Sequence, residues 1–189
     1  MNRSFVLSRQ VTCAPSTSKF KPTLLRSLQQ FYEKLIQSRR IAYWREDGFT
    51  PKLCNYQELR DEHTVDKKLI IENFLPFFQL HAPMIEEQQQ MILDSNFMIT
   101  FVLLERAFQS QHGKYFVMAS GCMIDTNDLM KFYRNPEELD DDKAMDAKTL
   151  LGPYWRRNNQ ILGKHLKEVK LDVDEFLLIV ALIYWDFGG

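Results

Sequence analysis

Arg106 is where the sequence offers chemistry. It follows seven core-type side chains, Phe97, Met98, Ile99, Phe101, Val102, Leu103 and Leu104, with Glu105 immediately before it. A guanidinium at the end of such a run has two uses. It can pair with Glu105 or cap the helix C-terminus, or it can be a half-buried donor that fixes the polar end of an apolar ligand, since its planar fork holds a carboxylate or carbonyl bidentately. The other reactive types are poorly placed. His63, His81, His112 and His165 are scattered over expected loops and helix ends, and none is spaced from another as metal ligands are. Glu86 and Glu87 are adjacent, so on a helix they do not face each other, and acidic residues at a helix start suit its dipole. Cys122 has no neighbouring base in sequence, which leaves an inert thiol. No nucleophile elbow, phosphate loop, dinucleotide fingerprint or zinc-protease motif is present. These absences give no catalytic residue and no metal site, so the chain does not read as an enzyme.

The element that must position Arg106 is the stretch 85–109, uninterrupted by Gly or Pro. A helix apolar on nearly all sides needs protein around it. Its continuous apolar part is shorter than a membrane span and is bounded by Asp94, Ser95, Asn96, Glu105 and Arg106. A central core helix is therefore expected. Upstream, Leu24, Leu28, Phe31 and Leu35 form one stripe of an amphipathic helix, with Pro22 in its first turn and Arg39 and Arg40 in its last, where cations suit the dipole. Residues 44–64 read as a connection, and 65–80 as a second helix burying Leu69, Ile70, Phe74 and Phe78. Pro76 predicts a break near 73–75.

Downstream, Tyr115 to Met118 and the Ser120–Gly121 pair predict a small hairpin, 127–133 a short helix, and 135–146 a solvated acidic loop. A helix is expected over 150–169, with Pro153 in its first turn and Trp155, Ile161, Leu162, Leu166 and Val169 inward; Gly163 weakens it. Asp172 and Glu175 have capping-box spacing before a nearly uninterrupted apolar helix, FLLIVALIYW. Residues 1–21 read as a flexible lead-in and 22–189 as one domain. The near balance of 24 basic and 25 acidic residues supplies no footprint for nucleic acid or an anionic membrane. Three separated cysteines suit a reducing compartment better than a disulfide framework.

Several stretches together resemble the ligand-binding domain of nuclear hormone receptors, of the divergent type abundant in nematodes. They are LPFFQL at 75–80, EEQQQMIL at 86–93, FMITFVLLERAF at 97–108, YFVMASG at 115–121 and LDVDEFLLIVALIYWD at 171–186. The resemblance implies an all-α fold, a three-layer antiparallel helical sandwich with one small β-hairpin and the 85–109 helix in the middle layer. It implies a nuclear transcription regulator acting on RNA polymerase II genes, a small lipophilic ligand, a coregulator helix and a receptor dimer partner. Zinc is implied only in a separate DNA-binding domain, so this chain takes no cofactor, contacts no nucleic acid directly and spans no membrane.

By the same resemblance Arg106 anchors a ligand carboxylate or ketone, and Phe101, Leu104, Phe116, Met118, Leu69 and Asn73 are candidate walls. Glu72, Gln88 and Ile92 fall in the coregulator groove. The basic clamp common there falls on Glu72 or Asn73, neither of which is basic. The family pattern continues past residue 189, so the chain is expected to be a fragment, an isoform or a diverged product. The alternative reading is a ligand-free helical interaction module, for dimerisation or coregulator binding, whose large side chains fill the core.

Overall fold

The structure, a computed structural model, describes residues 23–43, 52–81, 86–110, 115–134 and 140–187. The expected lead-in at 1–21, Pro22, His112 and the first residue of the expected central helix, Ile85, lie outside them. Helix α1 spans Leu24–Ala42, and Thr23 caps it by accepting from the Arg26 amide at 3.3 Å. Its buried stripe is Leu28, Tyr32, Leu35 and Arg39. Leu24 is exposed instead, and Arg39 is not a solvated dipole partner but a buried side chain, 3% exposed.

Helix α2 covers Tyr56–Asn73 and so begins well before the expected Val65. The reason is a capping box: Asn55 Oδ1 accepts from the Glu58 amide and Glu58 accepts from the Asn55 amide, both at 3.0 Å. The many charges after it are a solvated helix face, not a connection. Just before the box, the Cys54 amide donates to the Met123 carbonyl at 2.9 Å, so the 52–54 segment runs along the hairpin. The break at Pro76 falls where expected: α2 ends at Asn73 and α3 is Leu75–His81.

Helix α4, Glu87–Ser110, takes the central place, packing against α7 (Gly163–Glu168), α8 (Val173–Phe187), β1 (Phe116–Val117) and the π-helical segment Arg156–Leu162. Its wrapping is incomplete, because Met91, Ile99 and Leu103 are about half exposed or more. Strand β1 pairs antiparallel with β2, Met123–Ile124, in the register Phe116 with Ile124. Gly121 in the connecting turn has φ 83°, a left-handed conformation that favours glycine.

Short helix α5 is Leu129–Tyr133. The acidic stretch was expected to be a loop. Its residues 135–139 lie outside the described set, but from Asp141 it is helix: α6 is Asp141–Trp155, with Asp140 accepting from the Lys143 amide at 3.0 Å. Asp141 and Asp142 then lie in a first turn, where the dipole favours them. Pro153 consequently sits inside α6 and not at its start. It withholds one ladder amide, and the helix continues as the π-helical segment. That change of period turns Ile161 and Val169 outward, to 49% and 67% exposure, whereas Leu166 stays buried. The Asp172–Glu175 box forms and opens α8, which buries Phe176, Leu177, Val180, Ala181 and Tyr184 and exposes Leu178 and Leu182.

The main core is aromatic. Phe74 meets Phe101 at 4.8 Å, Phe78 stacks on Tyr184 at 4.4 Å and Phe108 on Phe176 at 4.5 Å. The result is an all-α helical sandwich with, among the described residues, one two-stranded sheet. No helix among the described residues is long and apolar enough to cross a membrane.

Candidate functional site

A helix turning about 100° per residue puts positions i, i+3, i+4 and i+7 on one face. On α4 that rule separates two jobs. Phe97, Phe101, Leu104 and Phe108 enter the main core, while Ile99, Val102, Leu103 and Arg106 line a cavity of about 480 Å³. Residues Tyr56, Leu59 and Glu62 of α2 form a second wall, the hairpin contributes Phe116 and Met118, and Tyr133, Trp155 and Asn158 close the third side. Trp155 is itself fixed, donating from Nε1 to the Tyr133 hydroxyl at 2.6 Å. The volume falls within the range of small-molecule pockets.

Beneath Arg106 lies a buried charge cluster joining three helices. Arg39 of α1 donates from Nε and Nη2 to the two carboxylate oxygens of Asp66 on α2, at 2.6 and 2.9 Å. Its Nη1 and Nη2 also reach Glu105 on α4 at 2.6 and 2.8 Å. Glu105 accepts further from Arg106 Nη2 at 2.6 Å and from the Tyr32 hydroxyl at 2.9 Å. Two cations face two anions, all four nine-tenths or more buried. Burial acts to raise the Glu105 carboxyl, but the adjacent Arg106 and Arg39 outweigh it and hold it down at about 2. Burial and the Glu105 charge raise the Tyr32 hydroxyl. Burial also raises Glu62, against the opposing bonds from the Ser120 amide and hydroxyl.

Arg106 makes the Glu105 pair, the first of the two uses open to it in the sequence, and it is also among the residues lining the cavity; its Nε, buried, has no hydrogen-bond partner. Of the other expected wall residues, Phe116 and Met118 line this cavity. Phe101 and Leu104 do not, because their positions on α4 face the opposite way, into the aromatic core. Leu69 packs against that same core, and Asn73 turns back on its own helix, donating to the Leu69 carbonyl at 2.8 Å. Glu72 lies exposed on α2, 3.8 Å from Lys68. The side chains of Gln88 and Ile92 are outside the described set. His63 borders the cavity, His81 packs at a tilt against Phe77 with ring centroids 4.8 Å apart, and His165 sits by Glu168 on the surface. Among the described residues no group of three or more acidic, histidine or cysteine side chains could hold a metal ion.

Sequence reasoning missed Arg39, Asp66 and Asn158. Two had a signal. Arg39 continues the stripe 28, 32, 35 at the next helical step, and Asp66 precedes Ile70 and Asn73 at spacings of four and seven. Asn158 had none, since its orientation depends on the π-helical segment.

Comparison with known proteins agrees with this architecture. The family described as "ligand-binding domain of nuclear hormone receptor" matches residues 75–189. The chain belongs to the nuclear hormone receptor family. Two relatives from Caenorhabditis elegans, nuclear hormone receptor family members nhr-42 and nhr-108, are 36% and 35% identical to it. The matches cover 92% and 90% of this chain and 48% and 50% of those proteins. A third nuclear hormone receptor family protein, nhr-176, is 30% identical over 92% of the chain. The chain thus spans about half the length of the curated relatives it matches. No solved structure matches it. Receptors of this family are ligand-regulated transcription factors rather than enzymes.

Proposed function

We propose that this chain is the ligand-binding module of a nuclear hormone receptor. A small lipophilic molecule enters the cavity between α2, α4 and the hairpin, and its occupancy controls transcription of RNA polymerase II genes in the nucleus. Coregulator helices and a receptor dimer partner are the protein partners on this reading, with the exposed end of α2 around Glu72 as the candidate coregulator surface. The observation that carries it is the placing of Arg106: a buried guanidinium among the lining residues of an otherwise mostly apolar cavity of ligand size.

Native mass spectrometry of the purified 189-residue chain tests the reading, alongside a Val102→Trp variant that fills the cavity from α4. The expected result is a co-purifying or added lipophilic molecule bound to the native chain and lost from the variant, with unchanged helical circular dichroism. A chain that neither retains nor takes up such a molecule supports instead a ligand-free interaction module.

A further inference from the structure

We infer that Cys54, Met118 and Cys122 form an all-sulfur site for a soft monovalent cation, copper(I). Strand pairing brings the three together. Phe116 pairs with Ile124 and Val117 with Met123, and the Met118 amide continues the ladder by donating to the Cys122 carbonyl at 2.9 Å. On the other side of Met123, Leu53 pairs with it in parallel. Because side chains alternate along a strand, Leu53, Val117 and Met123 share one face, while Cys54, Met118 and Cys122 share the other. All three of the latter are buried in one cluster.

Their sulfurs converge. Cys54 and Met118 lie on segments to either side of the one carrying Cys122, yet the Cys54 thiol donates to the Met118 thioether at 2.8 Å. That contact crosses the Cys122 segment on the face the three residues share. All three also line a single cavity of about 350 Å³, and each cysteine keeps 7% exposure. Lys52, paired with Glu58, is the one basic residue lining that cavity, against Glu58, Asp61 and Glu62, a balance that favours a cation.

The donors then choose the ion. Two thiols and a thioether are soft ligands, which suit copper(I), whereas calcium and magnesium take oxygen. Zinc closes a structural site with four ligands, and among the described residues no set of three cysteine, histidine or acidic side chains is present to hold it. Copper(I) is satisfied by three sulfurs in a trigonal arrangement. Each thiol gives its proton to water as its bond to copper forms, and no electron is transferred. Burial foremost, then the nearby Cys122 sulfur, pushes the Cys54 thiol up to about 12, so its proton stays in place at neutral pH until an ion displaces it. The site does not depend on the larger cavity holding a ligand, although Met118 lines both.

The experiment titrates the full chain, reduced and under nitrogen, with copper(I) in competition with bathocuproine disulfonate, a coloured copper(I) chelator, and counts the sulfurs at copper by X-ray absorption. One ion per chain with three sulfur neighbours is expected, unchanged in Cys13→Ser, whose thiol lies outside the described residues. Cys54→Ser and Cys122→Ser should each lose the ion. Met118→Leu, which nearly conserves volume, should weaken binding by roughly ten-fold, the scale of one supporting group at a metal site. Excess zinc should not displace the copper. No ion bound, fewer than three sulfur neighbours, retention by either Cys54→Ser or Cys122→Ser, loss from Cys13→Ser, or displacement by zinc overturns the inference. The sulfur count on the unaltered chain decides the question even if a cysteine variant does not fold.

Discussion

Replacing Glu105 by Gln removes one charge from the centre of the molecule while keeping its shape. In the native chain this carboxylate accepts from Arg39 twice, from Arg106 and from Tyr32. An amide in its place turns two hydrogens toward guanidinium donors and leaves the cluster with excess positive charge. The magnitude follows from titration. Glu105 is held at about 2 against an ordinary 4.5. At about 1.4 kcal/mol per pH unit, that difference makes the ionised form worth roughly 3 kcal/mol to the fold. Because the folded value is depressed, this contribution is complete above the unfolded value of 4.5 and is lost as pH falls toward 2. Glu105→Gln should therefore be less stable than the native chain by roughly 3 kcal/mol at neutral pH and by about half of that near pH 3. Urea unfolding followed by circular dichroism at both pH values measures the two gaps. A gap of equal size at the two pH values, or one under about 1 kcal/mol at neutrality, would refute the electrostatic account.

Removing Arg39 alone, as Arg39→Met, strands Asp66 in a buried site and should cost about 3–5 kcal/mol by the same assay. The double variant Arg39→Met with Asp66→Leu leaves Glu105 paired with Arg106 and should recover most of that loss; no recovery would mean the pair acts through packing instead. Gly163→Ala should stabilise the chain by up to about 1 kcal/mol, seen as a higher melting temperature, because the added methyl meets only the Ala107 and Asn158 carbonyl oxygens at ordinary contact distances of 3.5 and 3.8 Å. A lowered melting temperature would show that the π-helical junction depends on a residue without a side chain.

The local signals in the sequence proved sound. The stripe of α1, the break at Pro76, the turn at Gly121 and the Asp172–Glu175 box each depend on a few neighbouring residues, and each is present. Two helix starts were hidden by charge. At 56–64 and at 141–146 the acidic and basic residues read as loop in the sequence, although a cap at Asn55 or Asp140 lets the same residues form a solvated helical face. The cavity was half legible. Arg106 stands out at the end of its apolar run and Phe116 and Met118 follow from the family resemblance, whereas the choice between Phe101 and Val102 depends on which face of α4 meets α2 and the hairpin. Helix period gives the two faces but does not say which neighbour each one meets.

That distinction also explains why charged residues occupy the heart of an otherwise apolar fold. Leu28, Ile70 and Phe101 can slide past one another at modest cost, because dispersion and hydrophobic burial are not directional. The fork of Arg39 cannot: it accepts only one relative placement of Asp66 on α2 and Glu105 on α4. Those two helices are also opposing walls of the cavity, and Glu105 directly precedes the residue whose Nε is left free. The pairings therefore set the position of the walls and satisfy the charge of Arg106 in one step.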